Sequence, residues 1–341
     1  MDSLFRKLGL GQPFDSGELA DFFGSIRDYP AAEVGAVLGC MLGRHSGDDA
    51  AKVVTGIRQY APRSRISGTA VSPTVNIVGT GGGPSTFNIS TATSFLLAAA
   101  GVTVVKTGST AWRSKSGFME VAMALGCLRE SLTWEQVDVV ARKTGIVFLP
   151  PMLYPSVLRD VASLLTPEVF RKVGYYINII GPLLSPVAVD FTFLGASSRS
   201  SQELLAEAAT SLGDVPTCIV SAENKLDEVS PIGLTNGIAI DKGGNREDFT
   251  IDPADLPLTE VTLNDLAGLA PMGAARLLKQ VLGGKGTPQQ TEAVALNGAA
   301  VLWQLGRFES LGNAFEACMS LMNKGEPAEK IAALRDALKH V

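Results

Sequence analysis

Histidine is scarce in this sequence of 341 residues, which contains two, His45 and His340. A catalytic triad built on histidine, or a metal site with several histidine ligands, is therefore not expected, and any metal ion should be held by oxygen ligands. Disulfide bonds and zinc sites are not expected either, because the four cysteines lie far apart in apolar surroundings. They are Cys40, Cys127, Cys218 and Cys318.

The sequence also lacks long apolar runs and an excess of positive charge. No uncharged apolar stretch reaches about 18 residues, the length that indicates a membrane-spanning helix, and the N-terminal residues do not resemble a signal peptide. We therefore expect a cytoplasmic protein with no membrane partner. The net charge is -5 and the pI is about 5.3, which argues against nucleic acid as a partner, although a local basic face would not show in these totals.

Apolar residues make up 46% of the chain, enough for a full core and two domains. Residues 1–66 show helical periodicity, whereas predicted strands and helices alternate from about residue 70 onward. We predict an α/β fold with a small N-terminal all-helical domain, residues 1–66, and a larger α/β domain, residues 67–341. The larger domain should contain a mixed, mostly parallel sheet flanked by helices. A hinge is expected near Arg63–Gly68, and Asn178–Leu183 is expected to be a turn.

Two polar loops after consecutive predicted strands form the most informative stretch. Val75–Val78 is a predicted buried strand that leads into the glycine loop Gly79–Gly83 and then into a helix that reaches Ala100. A glycine loop that opens onto a helix N-terminus can bind an anion through its backbone N–H groups. The stretch therefore predicts an anion site, with two ordinary βα turns as the alternative. The loop after the next strand adds Lys106, Ser109, Thr110, Arg113 and Ser114.

Two kinds of charged residue could complete such a site. Asp227 and Glu228 follow the predicted strand Thr217–Val220, and adjacent carboxylates in such a loop can hold a hard divalent cation such as Mg2+. The alternative is an ordinary solvated pair. Lys106 ends a predicted buried strand, so its ammonium must reach solvent or pair with an anion. We favour phosphate as that anion, with a structural ion pair as the alternative.

Several motifs, spread over nearly the whole chain, together resemble one family. They are Ile77-Val-Gly-Thr-Gly-Gly, Thr86-Phe-Asn-Ile-Ser-Thr-Ala, Lys106-x-Gly, Ser114-Lys-Ser-Gly, Asn178-Ile-Ile-Gly-Pro-Leu, Asp227-Glu-Val-Ser-Pro and Ala293-Val-Ala-Leu-Asn-Gly-Ala-Ala. The chain resembles the anthranilate phosphoribosyltransferases, which are nucleoside phosphorylase-like glycosyltransferases. The resemblance implies that part of 157–183 packs on the helical domain. It also supports a homodimer built through the predicted helix Ala31–Leu42, where Gly35, Gly39 and Gly43 allow either close helix packing or an interface.

The resemblance implies Mg2+-dependent transfer of 5-phosphoribosyl from phosphoribosyl diphosphate (PRPP) to a nitrogen of anthranilate or another small aromatic acceptor. Diphosphate is released, and no protein nucleophile is expected. The implied PRPP-binding residues are Gly79, Gly81, Gly82, Gly83, Thr86, Asn88, Ser90, Thr91, Lys106 and Ser114. The implied acceptor-binding residues are Gly79, Thr107, Ser109, Tyr154 and Arg171. The implied Mg2+ ligands are Ser90, Asp227 and Glu228.

This sequence departs from the family mostly where the acceptor binds. The family's Lys-His-Gly-Asn-Arg is Lys106-Thr-Gly-Ser-Thr here, and the family's His before Pro is Tyr154. The position of the family's acceptor-facing Arg is Leu164 when counted from Tyr154 and Glu168 when counted back from Asn178. Arg159 and Arg171 are the candidate substitutes for that Arg. The glycine loop is one residue shorter and lacks the family's Asp. We therefore expect anthranilate to be a poor substrate, because each lost charge-assisted hydrogen bond costs roughly 1.5–3 kcal/mol.

Two other functions stay open at this point. The chain could be a family member without transferase activity that binds another ligand, such as nucleic acid. It could also be a nucleoside phosphorylase-type enzyme that uses free phosphate and needs no Mg2+.

Overall fold

The structure, a computed structural model, describes residues 2–61, 63–66, 73–108 and 115–341. The N-terminal part is helical, as the periodicity predicts. Asp15 caps the second helix, because its Oδ1 accepts a hydrogen bond from Gly17 N at 2.6 Å while Glu18 Oε2 accepts one from Asp15 N at 3.2 Å. The four helices are α1 (Asp2–Gly9), α2 (Ser16–Gly24), α3 (Ala31–Arg44) and α4 (Gly47–Tyr60).

A seven-stranded sheet forms the centre of the rest of the chain. Its strands are β2 (Thr74–Gly79), β3 (Thr103–Lys106), β4 (Ile146–Phe148), β6 (Phe191–Gly195), β7 (Thr217–Ala222), β8 (Thr235–Ile240) and β9 (Arg246–Ile251). The order is β4-β3-β2-β6-β7-β8-β9, and all neighbours are parallel except β7–β8 and β8–β9. The predicted mixed, mostly parallel sheet is confirmed. A separate parallel pair joins β1 (Ser64–Arg65) to β5 (Val187–Ala188).

Helices cover both faces of this sheet, and successive residues of a strand supply opposite faces. Ile77 of β2 belongs to one hydrophobic core, and the next residue, Val78, belongs to the other. The first core is shared with α5 (Ile89–Ala99), α6 (Phe118–Leu125), α7 (Trp134–Thr144), α12 (Pro271–Gln280), α13 (Pro288–Gln304), α14 (Leu311–Lys324) and α15 (Glu326–Lys339). The second core is shared with the N-terminal helices and with α8 (Ser156–Leu164), α9 (Pro167–Val173), α10 (Tyr175–Ile180) and α11 (Arg199–Leu212).

The N-terminal helices and the segment after β4 are in contact. Helix α3 packs against α8, α9 and α10, which is the contact that the resemblance implies for part of 157–183. On α3, a Cβ atom added to Gly35 would meet Leu165 Cδ2 at 3.7 Å, and one added to Gly39 would meet Val173 Cγ1 at 3.6 Å. These two glycines therefore serve packing within the chain. The division into residues 1–66 and 67–341 stays a prediction.

Two local expectations from the sequence were wrong. Asn178–Leu183 was expected to be a turn, but α10 continues to Ile180 and a 3-10 turn, Gly181–Leu184, follows it. A turn was expected because Gly181 and Pro182 disfavour a helix, yet Pro182 lies in the first turn of the 3-10 segment, where its missing N–H is not needed. Strand β9 was not expected, because three of its six residues are charged; four of the six are exposed, as is common in edge strands.

The described helices also bear on the membrane question. None of the helices in the described ranges combines the length and apolar character needed to cross a membrane.

Candidate active site

Three loops meet at the carboxyl ends of the parallel strands, the edge at which α/β sheets bind ligands. They follow β2, β3 and β7, and together they enclose a cavity of about 140 Å3. We call this space the donor cavity. Its lining includes Gly79 and Gly81 from the first loop, Lys106 from the end of β3, and Asp227 and Glu228 from the third loop. The glycine loop, Lys106 and the carboxylate pair singled out from the sequence are therefore brought together.

The glycine loop and the carboxylate loop fit closely against each other. Asp227 Oδ2 accepts a hydrogen bond from Gly81 N at 2.8 Å. Gly81 has a φ of 68°, in the region that favours glycine. At Gly79 an added Cβ would lie 2.1 Å from the same Asp227 oxygen, so a side chain at that position would displace the carboxylate.

The carboxylates of Asp227 and Glu228 both line the donor cavity and are its candidate cation ligands. Glu228 Oε1 accepts hydrogen bonds from Ser90 N at 3.3 Å and from Thr86 Oγ1 at 3.4 Å. Glu228 Oε2 is buried and has no hydrogen-bond partner in the described part of the chain. Burial raises the pKa of Asp227, while burial and the neighbouring Asp227 raise the pKa of Glu228 to about 8. An unpartnered buried oxygen beside a second carboxylate fits a hard divalent cation.

Protein groups alone would not surround such an ion. Among the described residues, no group of three or more His, Cys, Asp and Glu side chains could hold a metal. Mg2+ commonly binds through one or two carboxylates together with phosphate oxygens of a substrate. The residues present therefore fit Mg2+ that binds together with a phosphorylated ligand.

Lys106 supplies a buried cation to the donor cavity. Its side chain is 2% exposed, and its Nζ donates to Ile77 O at 2.7 Å and to Ser90 Oγ at 3.3 Å. Burial lowers the pKa of Lys106 to about 7, against the opposing effect of Glu228 and Asp227. An anion in the cavity would favour the charged form, which is the role predicted for this lysine.

Asn88 joins the first polar loop to the second. It precedes α5 in the left-handed conformation, with a φ of 65°, and its side chain makes no capping hydrogen bond. Instead, Asn88 Nδ2 donates to Ser116 O at 3.4 Å, and Asn88 Oδ1 lies 3.1 Å from Ser116 Oγ. The Asn88 amide therefore holds Ser116, just before α6, beside the N-terminus of α5, where backbone N–H groups favour anions.

A second cavity, which we call the acceptor cavity, adjoins the first. Its volume is about 340 Å3, and Gly79, Thr107 and Asn178 line both cavities. Most of the remaining lining is apolar, including Leu158 and Phe170. The acceptor cavity therefore offers an aromatic ring a largely apolar space next to the donor cavity.

The polar groups of the acceptor cavity are mostly engaged with the protein itself. Tyr154 Oη accepts a hydrogen bond from Gly108 N at 2.9 Å and lies 3.0 Å from Gly108 O, to which it donates. Thr107 Oγ1 accepts from Asn76 Nδ2 at 2.8 Å. Tyr154 thus holds the backbone at Gly108 in place.

Comparison with known proteins identifies the family. A family model described as "Glycosyl transferase family, a/b domain" matches residues 71–328. The anthranilate phosphoribosyltransferase of Methylocella silvestris is 33% identical over 340 residues, which cover 99% of this chain and 95% of that protein. The chain belongs to the anthranilate phosphoribosyltransferase family. The resemblance inferred from the motifs is confirmed.

Solved structures of the family share the whole fold. The enzyme from Thermus thermophilus has a TM-score of 0.85 and 25% identity, with 99% of this chain and 100% of that chain covered. The enzyme from Saccharomyces cerevisiae in complex with PRPP and Mg also has a TM-score of 0.85, with 23% identity and coverage of 99% and 98%. The predicted α/β architecture with an N-terminal helical part is therefore the family's fold.

Most of the predicted donor-site residues line the donor cavity, and a few do not. Those that line it are Gly79, Gly81, Gly83, Thr86, Asn88, Ser90, Lys106, Asp227 and Glu228. Gly82 and Thr91 are not among its lining residues, and the Thr91 side chain is fully buried. Ser114 and the acceptor-site prediction Ser109 lie outside the described residues, and so does the side chain of Arg171.

Several residues that line the cavities received no role from the sequence reasoning. Ser116 and Asn178 are examples, and both lie inside motifs that carried the resemblance. Asn178 Nδ2 is buried without a hydrogen-bond partner in the described residues. Arg159, one of the two candidate substitutes for the family's Arg, lines the acceptor cavity, whereas Leu164 does not.

Proposed function

We propose that this chain transfers the 5-phosphoribosyl group of PRPP to a nitrogen of anthranilate or another aromatic acceptor and releases diphosphate. The observation that carries the proposal is the pair of adjoining cavities. The polar donor cavity holds a lysine and two carboxylates, and it shares a wall with the apolar acceptor cavity. Relatives bearing the name anthranilate phosphoribosyltransferase support the assignment.

The reaction breaks the bond from the ribose C1′ to the diphosphate and forms a bond from C1′ to the acceptor nitrogen, which loses a proton. Negative charge grows on the departing diphosphate, and the Lys106 ammonium and the glycine-loop N–H groups would stabilise it. Asp227, Glu228 and Ser90 would hold Mg2+, which when bound neutralises charge on diphosphate oxygens. No protein nucleophile is required.

The residues that bind the acceptor are less well defined than those that bind PRPP. The proposed acceptor-binding residues remain Gly79, Thr107, Ser109, Tyr154 and Arg171. Arg159 is added because it lines the acceptor cavity. Arg159 Nη1 donates to Pro151 O at 3.1 Å, so part of its guanidinium is engaged. Poor turnover of anthranilate stays a prediction.

Calorimetry followed by an acceptor panel tests the proposal. We expect PRPP to bind in the presence of Mg2+ and to bind much more weakly after the metal is removed. The panel then starts with anthranilate and extends to less acidic aromatic amines and heterocycles. A micromolar Michaelis constant for anthranilate with turnover of about 1 per second or more would show that the expectation of a poor substrate was wrong. Binding of inorganic phosphate and phosphorolysis of nucleosides, without PRPP binding, would contradict the proposed function.

We also propose a homodimer formed through α3 and its neighbours. Gly35 and Gly39 face α9, but Ala36, Cys40 and Gly43 are exposed on α3. Light scattering should therefore give twice the chain mass of 35.7 kDa, and Ala36→Arg should shift the protein toward the monomer. A monomer at micromolar concentration would count against the proposal. A cytoplasmic location also stays a prediction.

A further inference from the structure

The segment that follows α10 forms one wall of the acceptor cavity and is held by hydrogen bonds from other parts of the chain. Gly181, Pro182, Leu184, Ser185 and Pro186 line the acceptor cavity, and none of these residues lines the donor cavity. We call residues 181–186 the acceptor wall. Because its middle is a short 3-10 turn that contains glycine and proline, its own hydrogen bonds are few and its position depends on what holds it from outside.

Arg58, near the C-terminus of α4, holds the middle of this wall. Its Nη2 donates to Leu183 O at 2.8 Å, and its Nη1 donates to Asp214 Oδ2 at 2.8 Å. Asp214 lies just after α11, so one guanidinium joins the N-terminal helices, the acceptor wall and the α/β part of the chain. A planar guanidinium can donate in two directions at once, which the single ammonium of a lysine does less well.

The Arg58 guanidinium is charged although it is largely buried, and burial disfavours the charged form. The side chain of Arg58 is 18% exposed, and burial together with the nearby Arg63 lowers its pKa to about 10. Arg63 also donates to Asp214. A buried arginine with a depressed pKa costs stability that an apolar residue would not, and the hydrogen bonds of Arg58 to Asp214 and to Leu183 O offset part of that cost.

The other end of the wall is attached to the chain that follows α4. Ser64 N donates to Pro186 O at 2.9 Å, and Ser64 pairs with Val187 in the β1–β5 ladder. Arg58 therefore fixes the middle of the acceptor wall, and Ser64 fixes its end. Both residues lie where the chain passes from the N-terminal helices toward the sheet.

We infer that Arg58 is a positioning residue for the acceptor, acting through the carbonyl of Leu183. The inference rests on the proposed function and adds a residue that does not touch either substrate. Loss of the Arg58–Leu183 contact would let the wall shift relative to Gly79 and Thr107, which are fixed by the sheet. Shifts of about 1 Å in substrate position can cost about 100-fold in rate, so acceptor use should suffer while PRPP binding does not.

Arg63 offers a matched control. Both arginines form a salt bridge with Asp214, but Arg58 donates the side-chain hydrogen bond to Leu183 O. We expect Arg58→Gln to raise the acceptor KM roughly tenfold and to leave the PRPP KM within about twofold. Arg63→Gln should leave both constants near those of the parent. Arg58→Lys should restore part of the loss, because an ammonium can still reach one of the two oxygens.

Hydrogen–deuterium exchange gives a readout that needs no acceptor. The amides of residues 183–185, 187 and 188 should exchange faster in Arg58→Gln than in the parent or in Arg63→Gln. If the parent transfers phosphoribosyl to no acceptor, the proposed function fails, and exchange still decides whether Arg58 fixes the wall. Equal effects of Arg58→Gln and Arg63→Gln, or a rise in the PRPP KM as large as that in the acceptor KM, would overturn the inference.

Discussion

Replacing Asp227 with Asn and Glu228 with Gln should weaken Mg2+-dependent binding of PRPP by at least about 100-fold. The two substitutions remove the negative charge of both oxygen donors and keep the size of both side chains. An asparagine at 227 can still accept the hydrogen bond from Gly81 N that the carboxylate accepts at 2.8 Å. The loop geometry should therefore survive, and the loss should come from the metal.

The measurement is calorimetric titration of PRPP at several Mg2+ concentrations. The parent protein should bind more tightly as Mg2+ rises, and the double variant should respond little. Alanine at both positions should give a loss at least as large. A control with the exposed acids Asp255 and Glu316 both changed to alanine removes the same charge away from the cavity and should behave like the parent. Unchanged Mg2+ dependence in the double variant would show that the metal assignment is wrong.

The fold was predictable because its determinants are local and periodic. Helical spacing marked α1–α4, and runs of apolar residues marked the buried strands β2, β3 and β7. Strand β9 was not predicted because its exposed residues are largely charged. It is a strand because it pairs with β8. The prediction of a turn at Asn178–Leu183 was wrong because packing of α10 against α3 overrides the local preference for a turn.

The candidate site was predictable to the extent that its groups lie next to strand ends. Gly79, Lys106 and Asp227 each end or follow a strand, and parallel strands bring such positions to one edge. Asn178 and Arg58 were not predictable in the same way. Asn178 reaches the cavities from a helix after β4, so its motif supports the resemblance but no strand end marks it as a site residue. Arg58 acts on a carbonyl 125 residues further along the chain, and no local pattern marks it.

Lys106→Met should lower the transfer rate by about 100- to 1,000-fold, the usual cost of losing one strong electrostatic contact to a growing anion. Methionine has a similar length and keeps the contact with the Phe118 ring, which the Lys106 ammonium approaches at 5.2 Å. The variant therefore removes the charge with little change of shape.

The stability of this variant separates a binding role from a structural one. Burial disfavours the Lys106 ammonium, as its lowered pKa of about 7 indicates, and Lys106 forms no salt bridge within the described residues. Replacing a disfavoured buried charge with an apolar side chain should leave the melting temperature unchanged or raise it. The two hydrogen bonds to Ile77 O and Ser90 Oγ limit that gain.

Steady-state transfer at saturating Mg2+ and thermal unfolding of the same preparation test both expectations together. Lys324→Met changes an exposed lysine on α14 and serves as the control, with activity expected near that of the parent. If Lys106→Met lost activity because the protein unfolded, its melting temperature would fall, and the lysine would be part of the fold. If it kept full activity with an unchanged melting temperature, the leaving diphosphate would have to be stabilised without this ammonium, by the glycine-loop N–H groups and the metal.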